Sequence, residues 1–271
     1  MGKEPLISII IVTFNAAKTL QKALDSIFEQ QYPHIEIIII DGLSTDNTVE
    51  ILKANNAKIT FWKSEKDNGI YDAMNKALNF IKGDRVFFLG ADDYLLPGFS
   101  DIIGKFINDD VIYFGQSRFK KRIEGKTFKP FNLVKRNIVH QSVFYPKSVF
   151  LKYKYEIKYP ILADYFLNIK CFNNGIYNFK FIPVLVSVFT DGGVSSNRVD
   201  TQFELDKDNI INENFKYAFK NKSSQKGTFA ANNTLVFKNL LKWCQAPIKQ
   251  IPLTAIENYI GLNIEPGQNG Q

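Results

Sequence analysis

The chain has 271 residues, 45% hydrophobic, 14% aromatic and 23% charged, which excludes a disordered or fibrous chain and leaves enough apolar surface for a sizeable core. Lys and Arg number 34 against 27 acids, a formal charge of +7, so any partner surface starts with a positive bias. Only two cysteines (Cys171, Cys244) and two histidines (His34, His140) are present, which excludes a disulfide framework and argues against a zinc site. The length predicts one large domain, or one with a small appendage. Residues 1–5 lead straight into a strand-like run, so no signal peptide is expected, and no apolar stretch reaches membrane-span length.

Residues 6–14 form a nearly unbroken β-branched run, as expected for a strand buried on both faces of a parallel sheet. Residues 15–30 follow with apolar positions Leu20, Ala23, Leu24, Ile27 and Phe28, a helical period. A second buried strand over 35–40 ends at Asp41-Gly42, and a helix is predicted over 48–54 with Ser44 or Asp46 as cap. The pattern then gives a strand over 58–62, a helix over 71–81, and a strand over 85–89 running into Gly90-Ala91-Asp92-Asp93. Such alternation specifies an α/β fold, a Rossmann-like mainly parallel sheet with flanking helices. Further on, residues 97–107 read as a helix, 111–115 as a short strand, 161–172 as a helix and 179–190 as a strand. A loop Asp191-Gly192-Gly193 comes next, then helical pieces from Thr201 and a polar tail.

Between Gln116 and Lys158 stand twelve Lys or Arg and two acids, Glu124 and Glu156. A solvated face is one reading of this basic segment; a surface for phosphates or an anionic membrane is another. Nucleic acid is a third, because Phe119, Phe128, Phe131 and Tyr153 interleave with the charges, though they form no RNA-binding signature.

In open α/β sheets, ligands bind beyond the carboxyl ends of the strands. Here those ends carry Thr13-Phe14-Asn15, Asp41 to Ser44, Glu65 to Gly69, and Gly90 to Asp93, and they should converge on one cleft. No glycine-rich dinucleotide fingerprint and no Walker sequence is present. A divalent ion would do that work instead, and Asp92 and Asp93 are hard oxygen ligands suited to Mg²⁺ or Mn²⁺. An ordinary acidic turn is the other reading.

These motifs together resemble the inverting family 2 glycosyltransferases with a GT-A fold, over roughly residues 5–195. The marks are residues 9–15, Asp41 to Asp46, the stretch Asp67-Asn68-Gly69-Ile70-Tyr71-Asp72-Ala73-Met74-Asn75-Lys76, Gly83-Asp84, Leu89 to Asp93, His140-Gln141, Ala163-Asp164-Tyr165 and Gly192 to Ser195. The resemblance is to the bacterial branch that builds capsule, exopolysaccharide or lipopolysaccharide. It implies a hexosyl- or N-acetylhexosaminyltransferase using a nucleotide-sugar, with Mn²⁺ or Mg²⁺. Thr13, Phe14 and Asn15 would line the base and ribose pocket, and Asp41 would accept from a uracil imide, favouring a UDP-sugar. Asp67, Asp72 and Asn75 would organise the cleft, with His140 near donor phosphate or acceptor. Asp92 would sit near the ribose of the nucleotide-sugar and, with Asp93, hold the metal, and Asp164 would be the catalytic base. Gly90 stands where the common Asp-X-Asp form has its first acid.

The resemblance implies a GT-A domain over 1–200, with a nucleotide-binding half (1–95) and an acceptor-facing half (96–200), and a helical extension over 201–271. The expected acceptor is a lipid-linked saccharide. The chain would be cytoplasmic, with peripheral contact at the inner membrane face, and no nucleic-acid partner is expected. Leu240 to Trp243 would either lie on the membrane or pack on the domain. A sugar-phosphate nucleotidyltransferase is the rival enzyme, but such enzymes carry a glycine-rich basic loop where this chain has Asn15-Ala16-Ala17-Lys18.

Overall fold

The computed structural model describes residues 4–127, 132–173, 177–190 and 199–223. The Gly192 to Ser195 motif, Phe128, Phe131 and the Leu240 to Trp243 segment lie outside the described residues. Met1–Lys220 forms one unit of contacts and Asn221–Gln271 a second.

Four strands pair in parallel, two of them isoleucine-rich: β1 (Ile7–Thr13) and β2 (Ile35–Asp41), with β3 (Phe61–Ser64) and β4 (Arg85–Gly90). Between them lie α1 (Leu20–Phe28), α2 (Thr48–Ala54) and α3 (Ile70–Ala77). β1 and β2 are buried almost end to end, and each such isoleucine contributes roughly 1.5–3 kcal/mol by leaving water. Side chains from β1, β2, β4, α1 and the following helix form one apolar cluster.

The second half adds β5 (Tyr94–Leu95), α4 (Gly98–Ile103), β6 (Val111–Phe119), β7 (Arg122–Glu124), α5 (Asn132–Lys135), a 3-10 turn at His140–Ser142, β8 (Val143–Pro146), α6 (Lys147–Lys152), α7 (Ala163–Asn173), β9 (Asn178–Phe189) and α8 (Thr201–Ser223). One nine-stranded sheet results, in the order β3-β2-β1-β4-β8-β6-β9-β5, with β7 paired to β6. β8 runs antiparallel to both of its neighbours, β4 and β6. Its approach, the His140–Ser142 turn, therefore arrives at the carboxyl end of β4.

α3 ends at Ala77, not residue 81, and α4 at Ile103, not residue 107, because the next amides (Asn79, Phe80; Lys105, Phe106) donate three residues back and close each helix. Three further elements depart from expectation. β3 begins at Phe61, not Lys58, because the amides of Lys58 and Ile59 donate to Asn55 O and close the end of α2. α1 begins at Leu20, not Asn15, because the amides of Asn15, Ala16 and Ala17 donate to Ser44 Oγ, Thr48 Oγ1 and Asp46 Oδ2. β6 continues past Gly115 through a register shift between Phe114 and Gln116. Gly115 marks a close approach, since a Cβ there would meet Val184 O at 2.7 Å.

Candidate active site

The carboxyl ends of β1 and β4, the start of α3, the β6–β7 hairpin, the His140 turn and the start of α7 border one cleft of about 1230 Å³. Thr13, Phe14, Asn15, Asp67, Asp92, Asp93, His140 and Asp164 all line it, whereas Asp41, Asp72 and Asn75 do not.

Asp41 ties together the carboxyl ends of β1, β2 and β3 through Thr13, Ser44 and Ser64. It is wholly buried. Its Oδ1 accepts from Thr13 Oγ1 at 2.9 Å and Ser44 Oγ at 2.5 Å, and its Oδ2 accepts from Ser44 N at 3.0 Å and Ser64 Oγ at 2.6 Å. With both oxygens so occupied, it reaches a uracil imide only if this network opens. Asn15, expected to touch the nucleotide, ties two loops together: its Oδ1 accepts from Thr45 N at 2.9 Å. Its φ of 51° is the left-handed conformation that Asn tolerates. Leu43 takes a φ of 60° as well, a strained choice held in place by the Ser44–Asp41 bonds. Phe14 stands at the mouth with its ring 65% exposed.

The acidic pair after β4 divides its labour. Asp93 is buried, with Oδ1 accepting from Thr190 N at 2.8 Å and Oδ2 from Gln141 Nε2 at 2.8 Å. It thereby ties β4 to the 3-10 turn and to the end of β9. Burial pushes its carboxyl up to about 6, against the pull of the Thr190 and Gln141 bonds. Expected as a metal ligand, Asp93 instead spends its oxygens on these bonds. Asp92 lines the cleft with no hydrogen bond on its carboxylate among the described residues; only its backbone carbonyl accepts, from Thr190 Oγ1. Gly90 explains the missing first acid, because a Cβ there would stand 2.9 Å from Asp92 Oδ1 and closer still to Asp93 Oδ2. Both carboxylates fold back over this glycine. Among the described residues no three His, Cys, Asp or Glu side chains gather as a ready-made metal site. A cation here would be held by Asp92 and would need oxygen ligands from a bound substrate, the chemistry usual for Mg²⁺ and Mn²⁺.

Across the cleft, Asp164 sits in the first turn of α7 and is 6% exposed. Its Oδ2 accepts from Asn137 Nδ2 at 2.6 Å, and its Oδ1 lies 2.9 Å from the Tyr71 hydroxyl. Asn137 has no freedom to flip, since its own Oδ1 accepts from Ile138 N and Asn168 Nδ2. Asn168 Oδ1 in turn accepts from the buried Tyr145 hydroxyl at 2.8 Å. His140 stacks on Phe88 and meets the Tyr155 hydroxyl at 3.0 Å. Desolvation holds its imidazole below the ordinary value, with the Asp164 charge opposing.

Two expected cleft residues do other work. Asn75 clamps the backbone of Tyr155, donating to its carbonyl and accepting from its amide, each at 2.9 Å. Asp72 accepts from Asn68 N at 2.9 Å and pairs with Lys76 at 3.2 Å. Asp67 lines the cleft and accepts from Gly69 N at 2.8 Å. Sequence reasoning did not single out Tyr71, Asn137 or Asp200. Asp200 is buried and takes the amides of Ile161, Leu162 and Phe203, which seats the approach to Asp164. The signal for Tyr71 lay inside the Asp67 to Lys76 stretch; Asn137 and Asp200 carried none.

The family model for glycosyl transferase family 2 matches residues 8–182. The chain belongs to this family. Over 212 residues it is 35% identical to the PGL/p-HBAD biosynthesis glycosyltransferase of Mycobacterium bovis, covering 73% of this chain and 82% of that one. An uncharacterized glycosyltransferase of Mycobacterium tuberculosis matches at 32% identity over 177 residues, 60% of this chain and 68% of its own. Among solved structures, Staphylococcus aureus TarS 1–349 in complex with UDP-GlcNAc superposes with a TM-score of 0.58 at 17% identity, covering 79% of this chain and 72% of that 1–349 chain. The mannosyltransferase PcManGT of Pyrobaculum calidifontis, in complex with GDP-Man and Mn²⁺, gives 0.57 at 16% identity, covering 80% and 65%. These likenesses show a GT-A fold, and the family 2 glycosyltransferase is an enzyme. Among the described residues no helix is long and apolar enough to cross a membrane.

Proposed function

We propose that this family 2 glycosyltransferase moves one sugar, with inversion, from a nucleotide-sugar to a hydroxyl of a lipid-linked saccharide. The observation that carries the reading is Asp164: a carboxylate held by Tyr71 and Asn137, opening onto the same cleft as Asp92 and the end of β1. Asp164 takes the acceptor hydroxyl proton as that oxygen attacks the anomeric carbon, a role worth typically 10²–10⁴-fold. The departing diphosphate leaves from the opposite face, toward Asp92. Mn²⁺ or Mg²⁺ held at Asp92, when bound, neutralises charge on that leaving group. Phe14 offers its exposed face to the base, and Thr13 and Asp67 border the same side of the cleft.

A uridine donor is favoured because TarS, of the same fold, is seen with UDP-GlcNAc. A bacterial surface-glycan role draws support from the relative named for PGL/p-HBAD biosynthesis. Peripheral contact with the cytoplasmic membrane face fits the exposed Leu151 and Ile157 beside Lys152, Lys154 and Lys158. The reading keeps a nucleotide-binding half over 1–95 and an acceptor-facing half over 96–200, while the start of the expected extension packs with them: Phe203 is buried against Tyr159 and Tyr165, and one unit of contacts runs to Lys220.

A calorimetric screen of UDP- and GDP-sugars with Mn²⁺ tests the class and the donor together, and the UDP-sugars are expected to bind. The base assignment is tested with Asp164→Asn, which should keep nucleotide affinity and lose at least a hundredfold in transfer. Full transfer by that variant would sink it.

A further inference from the structure

The Tyr71 hydroxyl faces two acceptors at once, Ile161 O at 2.7 Å and Asp164 Oδ1 at 2.9 Å, and a phenol has one proton to give. Tyr71 and Asp164 are each 6% exposed and their bond is buried, whereas Ile161 is half-buried. On the other oxygen of Asp164 the situation is reversed. Asn137 is bound to donate there, because its carbonyl oxygen is already taken by Ile138 N and Asn168 Nδ2. The carboxylate therefore has one partner of fixed direction and one whose direction is free.

We propose that Tyr71 is a positioning residue that reverses its hydrogen bond as Asp164 changes protonation state. While Asp164 is a carboxylate, the phenol donates to Oδ1. Once Asp164 carries the proton, Oδ1–H donates to the phenol oxygen, and the phenol proton turns to Ile161 O. Both carboxyl oxygens keep a partner in either state, so the reaction orphans neither of them; Ile161 O, which is only part-buried, is left to water while the phenol serves Asp164. The proposal rests on Asp164 as the base. In that step the acceptor O–H bond breaks, its proton passes to Asp164, the oxygen bonds to the anomeric carbon, and the electron pair of the old sugar–phosphate bond leaves with the diphosphate.

Other titratable groups near Asp164 do not obscure the exchange. Tyr71 on α3, Tyr145 on β8 and Tyr155 after α6 are all pushed well above their ordinary values by burial, and His140 is held below its own. The three phenols stay uncharged across the carboxyl titration, and repeating it in a His140→Gln background removes the one neighbour of the four that can charge there.

The test uses carbon-13 NMR on the full chain labelled at aspartate Cγ and tyrosine Cζ, with the Asp164 and Tyr71 signals assigned by their loss in Asp164→Asn and Tyr71→Phe. In the wild type the Tyr71 Cζ signal should move with the same midpoint as the Asp164 carboxyl. In Tyr71→Phe, which loses a donor to the charged form, the carboxyl midpoint should rise by about one pH unit. Should Tyr71→Phe fold poorly, 3,5-difluorotyrosine at position 71 keeps the hydroxyl as a stronger donor, and the midpoint should fall. A Tyr71 signal that ignores the carboxyl titration, or midpoints unmoved in the variants, would overturn the proposal. The base assignment fails separately, through full transfer by Asp164→Asn, and that result would leave the NMR outcome standing.

Discussion

Phe14 offers a sharp separation between binding and stability. Its ring is 65% exposed at the mouth of the cleft, so Phe14→Ala removes little that the fold depends on. A surface change of this kind shifts stability by about 0.5 kcal/mol or less. A nucleobase laid on one face would cover on the order of 60 Å² of that ring, which at about 25 cal/mol/Å² is roughly 1.5 kcal/mol. Alanine substitutions at base-stacking aromatics fall at about 1–3 kcal/mol, so the two routes agree. Titration calorimetry should show UDP affinity falling about 5- to 150-fold, with thermal unfolding nearly unmoved. UMP should lose the same factor, because the stacked base is common to both ligands, and Phe14→Trp should restore binding. A change below twofold for UDP, or a loss matched by an equal fall in unfolding temperature, would refute the stacking role.

Three further outcomes follow from the same geometry. Asp200→Ala strands the amides of Ile161 and Leu162; denaturant unfolding should show a loss of about 2–4 kcal/mol, with transfer impaired and UDP affinity retained. Leu43→Asn replaces a bulky residue at a φ of 60° with one that tolerates the left-handed region, and should stabilise by about 1 kcal/mol, read by the same unfolding assay. His140 is held below its ordinary value in the folded protein, so below about pH 6.5 the unfolded chain binds a proton that the folded chain refuses. Stability carried by the neutral ring is thus present above that pH and is lost as pH falls through it. His140→Gln should flatten the fall in unfolding temperature between pH 7 and 5, and an unchanged slope would refute the assignment.

Much of the donor side was legible in the sequence because its cause is local. An isoleucine run longer than any turn signal can only be a doubly buried strand, and β1, β2 and β4 begin and end within a residue or two of expectation. Boundaries failed where backbone amides were recruited by distant side chains, as at Ala16 and Ala17, whose partners Thr48 and Asp46 lie some thirty residues on. The basic segment was opaque for a different reason. β6 was legible only as the strand over 111–115; its continuation into the hairpin with β7, and β8, carry too few alternating apolar positions to announce themselves, and pairing across the sheet makes them strands. In the site, residue types were legible but their duties were not. Asp92 and Asp93 are equivalent on paper; burial turns one inward to Thr190 and Gln141 and leaves the other facing the cleft. Asn75 lies one helical turn from Tyr71, yet only Tyr71 reaches the cleft.

The reversed strand β8 and the bonds around it also set an order of assembly. Tyr71 meets Asp164 across 93 residues of chain, and Asp93 meets Thr190 across 97. A ribosome adding about 5–20 residues per second delivers the whole of β1 to β4 several seconds before α7 or β9 exists. The donor-side strands are local in sequence and free to pair early, whereas closure of the long loops that bring in Asp164 and Thr190 carries the larger entropic cost and comes late. A nascent chain thus completes the strand ends proposed to hold the nucleotide before it owns Asp164, the proposed base.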